Sequence, residues 1–121
     1  QFRIQSICYD RWNASQLVID LTNENVPMEP FGQGFQSLNQ PTKEMEKLIL
    51  GQQIIHDGNP VMSWMLSNIA IQEDPAGNIK PNKAKSTEKI DGVVALIMAL
   101  GSYMTEGDLN SVYDGRGLLI L

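Results

Sequence analysis

Asp10 closes a run from Phe2 to Tyr9 in which Phe2, Ile4, Ser6 and Cys8 alternate with Arg3, Gln5, Ile7 and Tyr9. That alternation predicts a strand, and strand ends in α/β sheets present ligands and catalytic groups. Asp91 precedes Gly92 and the apolar run Val93-Val94-Ala95-Leu96, in the first turn or so of a predicted helix. A carboxylate there has two readings. Either the positive end of the helix dipole stabilises it, or it is an oxygen ligand for a hard cation such as Mg²⁺. First-turn Asp is common, so the residues alone favour the dipole.

Other chemistries find less support. His56 is the only histidine, and without a second His, a Cys pair or a carboxylate cluster it makes no zinc site. It is expected to be a structural or turn residue. No G-x-S-x-G elbow and no G-x-x-x-x-G-K-[ST] phosphate loop occurs, so neither that hydrolase elbow nor an ATPase is encoded here. The single cysteine, Cys8, allows no internal disulfide, and its apolar run suits a small buried hydrophobe. Trp12, Trp64, Tyr9 and Tyr103 stand in no basic-aromatic interleave, so core or boundary packing is expected of them.

The net charge of −5 argues against a dedicated non-specific DNA binder, because phosphate affinity comes from Lys and Arg. Yet Lys80, Lys83, Lys85 and Lys89 are the only Lys or Arg residues between positions 48 and 115. This local strip is either a solvated loop, the ordinary reading on charge alone, or a DNA contact on one face. No apolar run approaches the roughly 20 residues of a membrane span. The N-terminus Gln1-Phe2-Arg3-Ile4 has neither an initiator Met nor signal-peptide layout, and reads as that of a fragment or processed product.

The elements that must position Asp10 and Asp91 follow from pattern. After the first strand, Asn13 or Ser15 caps a helix carrying Leu17, Val18 and Leu21, and Asn23-Glu24-Asn25 stops it. Val26 to Pro30 reads as a short extended piece. Pro41 to Leu50 predicts a helix with Pro in its first turn and Gly51 after its end. Another begins at Asn59-Pro60, with Val61, Met62 and Met65 inward. Ile69 to Pro81 predicts a hairpin around Asp74-Pro75-Ala76-Gly77. Ser86 or Thr87 caps the last helix, which runs to about Tyr103 and must be covered on most sides. Met45, Met62, Met65 and Met98 are expected as core fillers. Thr105 to Asn110 is expected to be a mobile polar tail, and Val112 to Leu121 either to dock as a strand or to fray. The fold class is α/β or α+β, one domain over residues 1–104 with a tail over 105–121.

Three segments shift this balance together. They are Tyr9-Asp10-Arg11-Trp12-Asn13-Ala14, the stretch His56-Asp57-Gly58-Asn59-Pro60-Val61-Met62-Ser63-Trp64-Met65-Leu66-Ser67-Asn68, and Lys83-Ala84-Lys85-Ser86-Thr87-Glu88-Lys89-Ile90-Asp91-Gly92-Val93-Val94-Ala95-Leu96. In this order and spacing, and with Ser111-Val112-Tyr113-Asp114-Gly115-Arg116-Gly117-Leu118 at the end, the chain closely resembles the C-terminal part of tailed-phage and prophage terminase large subunits.

That resemblance implies a partial ribonuclease-H-like fold, a mixed sheet flanked by helices whose early strands are missing. It implies a nuclease lying downstream of a packaging ATPase domain, with three carboxylates holding two Mg²⁺ or Mn²⁺ ions to cut concatemeric viral DNA. Asp10 matches the second carboxylate and Asp91 the third. The first belongs to an earlier strand with no counterpart here, so the isolated chain is expected to be inactive. Lys83, Lys85 and Lys89 are expected to contact the DNA backbone. The implied partners are double-stranded viral DNA, the ATPase domain, the small terminase subunit and the portal, in the cytoplasm of the bacterial host and away from membranes. Self-association through an open sheet edge is also expected. Two alternatives remain: a non-catalytic interaction module of the packaging motor, and an unrelated α/β domain in which Asp10 and Asp91 lie apart.

Overall fold

The computed structural model describes residues 2–12, 14–110 and 119–120, with side chains for 2–12 and 14–107. In chain order the elements are β1 (Ile7–Tyr9), α1 (Ser15–Asn23), β2 (Met28–Pro30), α2 (Phe35–Leu50), β3 (Ile54–Ile55), α3 (Pro60–Asn68), β4 (Ile71–Glu73), β5 (Ile79–Pro81), α4 (Asp91–Asn110) and β6 (Leu119–Ile120). Parallel pairs β1–β2 and β3–β6 coexist with the antiparallel hairpin β4–β5. The architecture is therefore mixed α/β, with three short two-stranded sheets among the described residues.

α4 is the axis of the molecule. Ile90, Val93, Val94, Ile97, Met98 and Leu100 are buried, and they meet Leu38 and Met45 from α2. The run that is apolar on every side is thus covered from several directions, as its composition requires. Met62 and Met65 of α3 pack against this core from the rim. Two glycines allow close approach. A Cβ on Gly92 would stand 2.7 Å from Met65 Sδ, and one on Gly101 would stand 2.6 Å from Phe31 Cζ.

Several local expectations hold for the reasons given. Asn59 Oδ1 accepts from the Val61 and Met62 amides (2.9 and 3.2 Å), and Pro60 fills the first turn, so α3 starts at its cap. Asn25 adopts a left-handed φ of 62° just after α1, where the polar cluster was expected to stop it. In the β4–β5 tip, Asp74 accepts from the Ala76 and Asn78 amides and the Asn78 side chain. Those bonds hold its carboxyl below the usual range, the Asn78 side chain contributing most. Gly77 supplies the positive φ of 81° that the turn needs.

Other expectations are corrected. The first strand is confined to Ile7–Tyr9 and leaves Phe2 and Ile4 exposed. α2 starts six residues before Pro41, at Phe35, so this proline lies inside the helix. Its ring is buried where α2 meets α4, facing Gly101, and that packing offsets the missing amide bond. α4 begins at Asp91 rather than after Ser86 or Thr87. Ser86 is instead used to tie a loop: its hydroxyl donates to the Asn82 carbonyl (2.7 Å) and accepts from the Ala70 amide (3.0 Å). The segment 105–110 continues α4 as helix. Of the expected C-terminal piece, residues 111–118 and 121 lie outside the described residues, and Leu119–Ile120 pairs with β3.

Candidate active site at the end of strand β1 and the start of helix α4

Asp10 directly follows β1, and its Oδ1 accepts the Trp12 backbone amide at 3.2 Å. That small turn fixes the carboxylate against its own chain and reverses the backbone before α1. Asp91 opens α4, where the helix dipole favours a negative charge. Its Oδ1 lies 3.1 Å from Lys83 Nζ, and both side chains are well exposed, at 67% and 58%. An exposed pair of this kind contributes about 0–1 kcal/mol to stability. It does neutralise the aspartate locally.

The relation between the two aspartates follows from how β1 and β2 lie on α4. Ser102 Oγ donates to Glu29 Oε2 (2.9 Å) and lies 3.4 Å from Ser6 Oγ. Phe31, whose amide donates to the Tyr9 carbonyl (2.9 Å), packs on Gly101. Further along, Gln33 reaches Met98. Chain numbers rise along β2 and beyond as they fall along α4, so β1 and β2 run antiparallel to that helix. The carboxyl end of β1, with Asp10, therefore points toward the end of α4 that carries Asp91. No contact between the two carboxylates is recorded. Among the described residues no group of three His, Cys, Asp or Glu could hold an ion. The donor set is thus right in kind, oxygen for a hard cation, and short in number.

The lysines divide. Lys83 is engaged by Asp91, while no ion pair is recorded for Lys85 or Lys89 among the described residues, and both are exposed. Lys80 is drawn inward, over the Phe35 ring at 4.9 Å and donating to the Gln33 carbonyl at 3.3 Å. His56 is a turn residue: Nδ1 accepts the Gly58 amide at 2.9 Å, which places a neutral ring's proton on Nε2. It sits on the rim of an apolar groove of about 260 Å³, floored by Met45, Leu48, Met62, Leu66 and Leu96. Cys8 packs against the core, and burial pushes its thiol pKa up despite the opposing hydrogen bond with Ser102. The packing expected of Trp12 and Tyr103 is overturned: they are 88% and 62% exposed. Apolar character alone did not reveal that Trp12 belongs to the turn beside Asp10, although its adjacency in sequence was a signal. No helix among the described residues is long and apolar enough to cross a membrane.

Residues 1–106 match the family of the terminase large subunit endonuclease domain, and the chain belongs to that family. It is 34% identical over 103 residues to the terminase large subunit of Enterobacteria phage HK97, covering 84% of this chain and 20% of that protein. It is 37% identical over 114 residues to protein YmfN of Escherichia coli K12, covering 90% of this chain and 25% of that protein. The crystal structure of the HK97 large terminase superposes with a TM-score of 0.75 at 34% identity, over 84% of this chain and 22% of that one. The fold is accordingly that of a phage terminase nuclease domain, ribonuclease-H-like. The chain spans about a fifth to a quarter of the length of these relatives.

Proposed function

We propose that Asp10 and Asp91 are two members of a carboxylate set that binds Mg²⁺ or Mn²⁺ in a DNA endonuclease, and that the longer protein cuts concatemeric viral DNA during packaging. The observation that supports this reading is the antiparallel setting of β1 and β2 on α4 in a chain of the endonuclease family. When bound, the ion pair would supply an activated water and stabilise the leaving oxygen of the phosphodiester. The chain's own residues do the rest. The Trp12 amide holds the Asp10 carboxylate in one orientation. Lys83 balances the charge of Asp91 and lies ready to exchange that carboxylate for a backbone phosphate. Lys85 and Lys89 extend the positive strip along the DNA.

Two carboxylates provide too little charge for tight ion binding, so the 121-residue chain alone is inactive on this reading. In its setting the partners are viral DNA, the ATPase domain, the small subunit and the portal, in the host cytoplasm. The open edge of β1 favours self-association of the isolated chain. A second reading, a non-catalytic docking module of the packaging motor, draws on the net charge of −5.

Plasmid nicking separates the two. The chain alone should leave supercoiled plasmid intact in Mg²⁺ or Mn²⁺. A longer chain of the family type should nick it and lose that activity with Asp10→Asn or Asp91→Asn. Nicking by the 121-residue chain that Asp91→Ala abolishes refutes its inactivity. Undiminished cutting by both variants of the longer chain refutes the site. Neutralising Lys83, Lys85 and Lys89 together should weaken DNA binding and flatten its salt dependence.

A further inference from the structure

Among the described residues Trp12 is left largely bare. Its side chain is 88% exposed, far more than the 46% of Trp64 on α3, the other tryptophan. An indole left in water forfeits the burial that ordinarily justifies so large a residue, so its placement calls for a ligand. The Trp12 backbone amide is the hydrogen-bond donor to Asp10 Oδ1, so the turn that orients the carboxylate also carries the residue that bears the indole. Arg11 lies between them, exposed and with no ion pair recorded among the described residues. A carboxylate, a free guanidinium and a bare indole thus occupy three consecutive positions at the carboxyl end of a strand.

We infer that Trp12, with Arg11 beside it, is a stacking platform for an unpaired base of the DNA strand presented to Asp10. This rests on the endonuclease reading above and adds the state of the DNA to it. The guanidinium suits a backbone phosphate, which it can grip with two parallel N–H donors. The indole face suits a base, because stacking tolerates every sequence and needs only that the base be free of its partner. Inside an intact duplex each base face is already covered by its neighbours. The turn therefore favours a strand that is locally opened, as at a gap, a frayed end or a flipped nucleotide. A protein partner would fit the indole equally well, but would leave unexplained why it is tied to the carboxylate and flanked by an unpaired arginine.

The test uses the full chain carrying Trp64→Phe, which leaves Trp12 as the sole indole. Labelled oligodeoxynucleotides at low salt report binding by anisotropy, and Trp12 emission reports stacking. Three probes are compared: a single strand, a gapped duplex and an intact duplex. Without DNA, the emission should be that of a solvated indole at all protein concentrations. Single-stranded and gapped DNA should quench it, and intact duplex should not. Trp12→Ala should weaken binding of the gapped duplex about five- to tenfold, as expected for one stacked base, and Trp12→Phe should restore most of that loss. Binding with unchanged Trp12 emission, or equal quenching by all three probes, overturns the inference and leaves the endonuclease reading standing. Failure of every probe to change the anisotropy overturns the DNA surface on this chain and the inference with it. Blue-shifted emission that reverts on dilution assigns the indole to a contact between copies, which also overturns it.

Discussion

Gly101→Ala should destabilise the fold although it places a better helix former in a helix. Alanine in place of glycine normally gains about 0.8–1 kcal/mol in a helix interior. At position 101 the new methyl would stand 2.6 and 2.9 Å from Phe31 Cζ and Cε2 and 3.2 Å from Pro41 Cγ. Neither neighbour yields easily. The Phe31 backbone is held by the hydrogen bond from its amide to the Tyr9 carbonyl, so its ring can give way only by rotating, and Pro41 is part of α2. Overpacking of this kind costs about 1–3 kcal/mol, so after the helix gain a net loss of up to about 2 kcal/mol is expected. Gly107 on the same helix is the internal control. A Cβ there meets nothing within 4 Å, so Gly107→Ala should show the gain of about 0.5–1 kcal/mol unopposed. At about 4 °C per kcal/mol for a chain of this size, Tm should fall by up to about 8 °C for the first and rise by about 2–4 °C for the second. Thermal melts followed by circular dichroism, with urea titrations alongside, measure both. Equal stabilisation by the two substitutions would mean that β1, β2 and α2 do not close on α4 as described, and the placement of Asp10 would fall with them.

Two further substitutions and conditions probe local features. Asn59→Ala removes the side-chain acceptor for two amides at the start of α3 and should cost about 1 kcal/mol in urea unfolding; no change would deny the cap. The Cys8 thiol, whose pKa burial raises, should react more slowly with a disulfide reagent in the folded chain than in denaturant. Because the folded chain favours the neutral thiol, the stability it contributes is complete below the unfolded pKa near 9.0 and is lost as pH rises through the folded value. Reaction as fast as in denaturant, or a stability that is flat across that range, would show that the thiol is not buried.

Much of this arrangement was written in short-range chemistry. Asn59-Pro60, Asp74-Pro75-Ala76-Gly77 and Asn23-Glu24-Asn25 act through their own backbone neighbours, so their effect was legible before any fold was known. Misreadings arose where tertiary contacts decide. Pro41 has the look of a helix start, yet sits mid-helix because its ring fills the junction with α4. Ser86 has the look of a cap, yet its hydroxyl serves the Asn82 and Ala70 backbone across a loop. Lys83 belonged to a charge strip in sequence, and only the fold shows that it faces Asp91. Asp10 and Asp91 were singled out from their settings at a strand end and a helix start. The antiparallel packing of β1 and β2 on α4 is encoded by no periodicity within either segment.

The central claim is tested most directly by anomalous diffraction from crystals of this chain soaked in Mn²⁺. The account predicts a manganese ion at the β1–α4 end, held by Asp10, Asp91 or both, with Lys83 displaced from Asp91. It also predicts low occupancy, because two carboxylates bind it weakly. Manganese bound only elsewhere, with the Lys83–Asp91 pair intact at saturating ion, would contradict it.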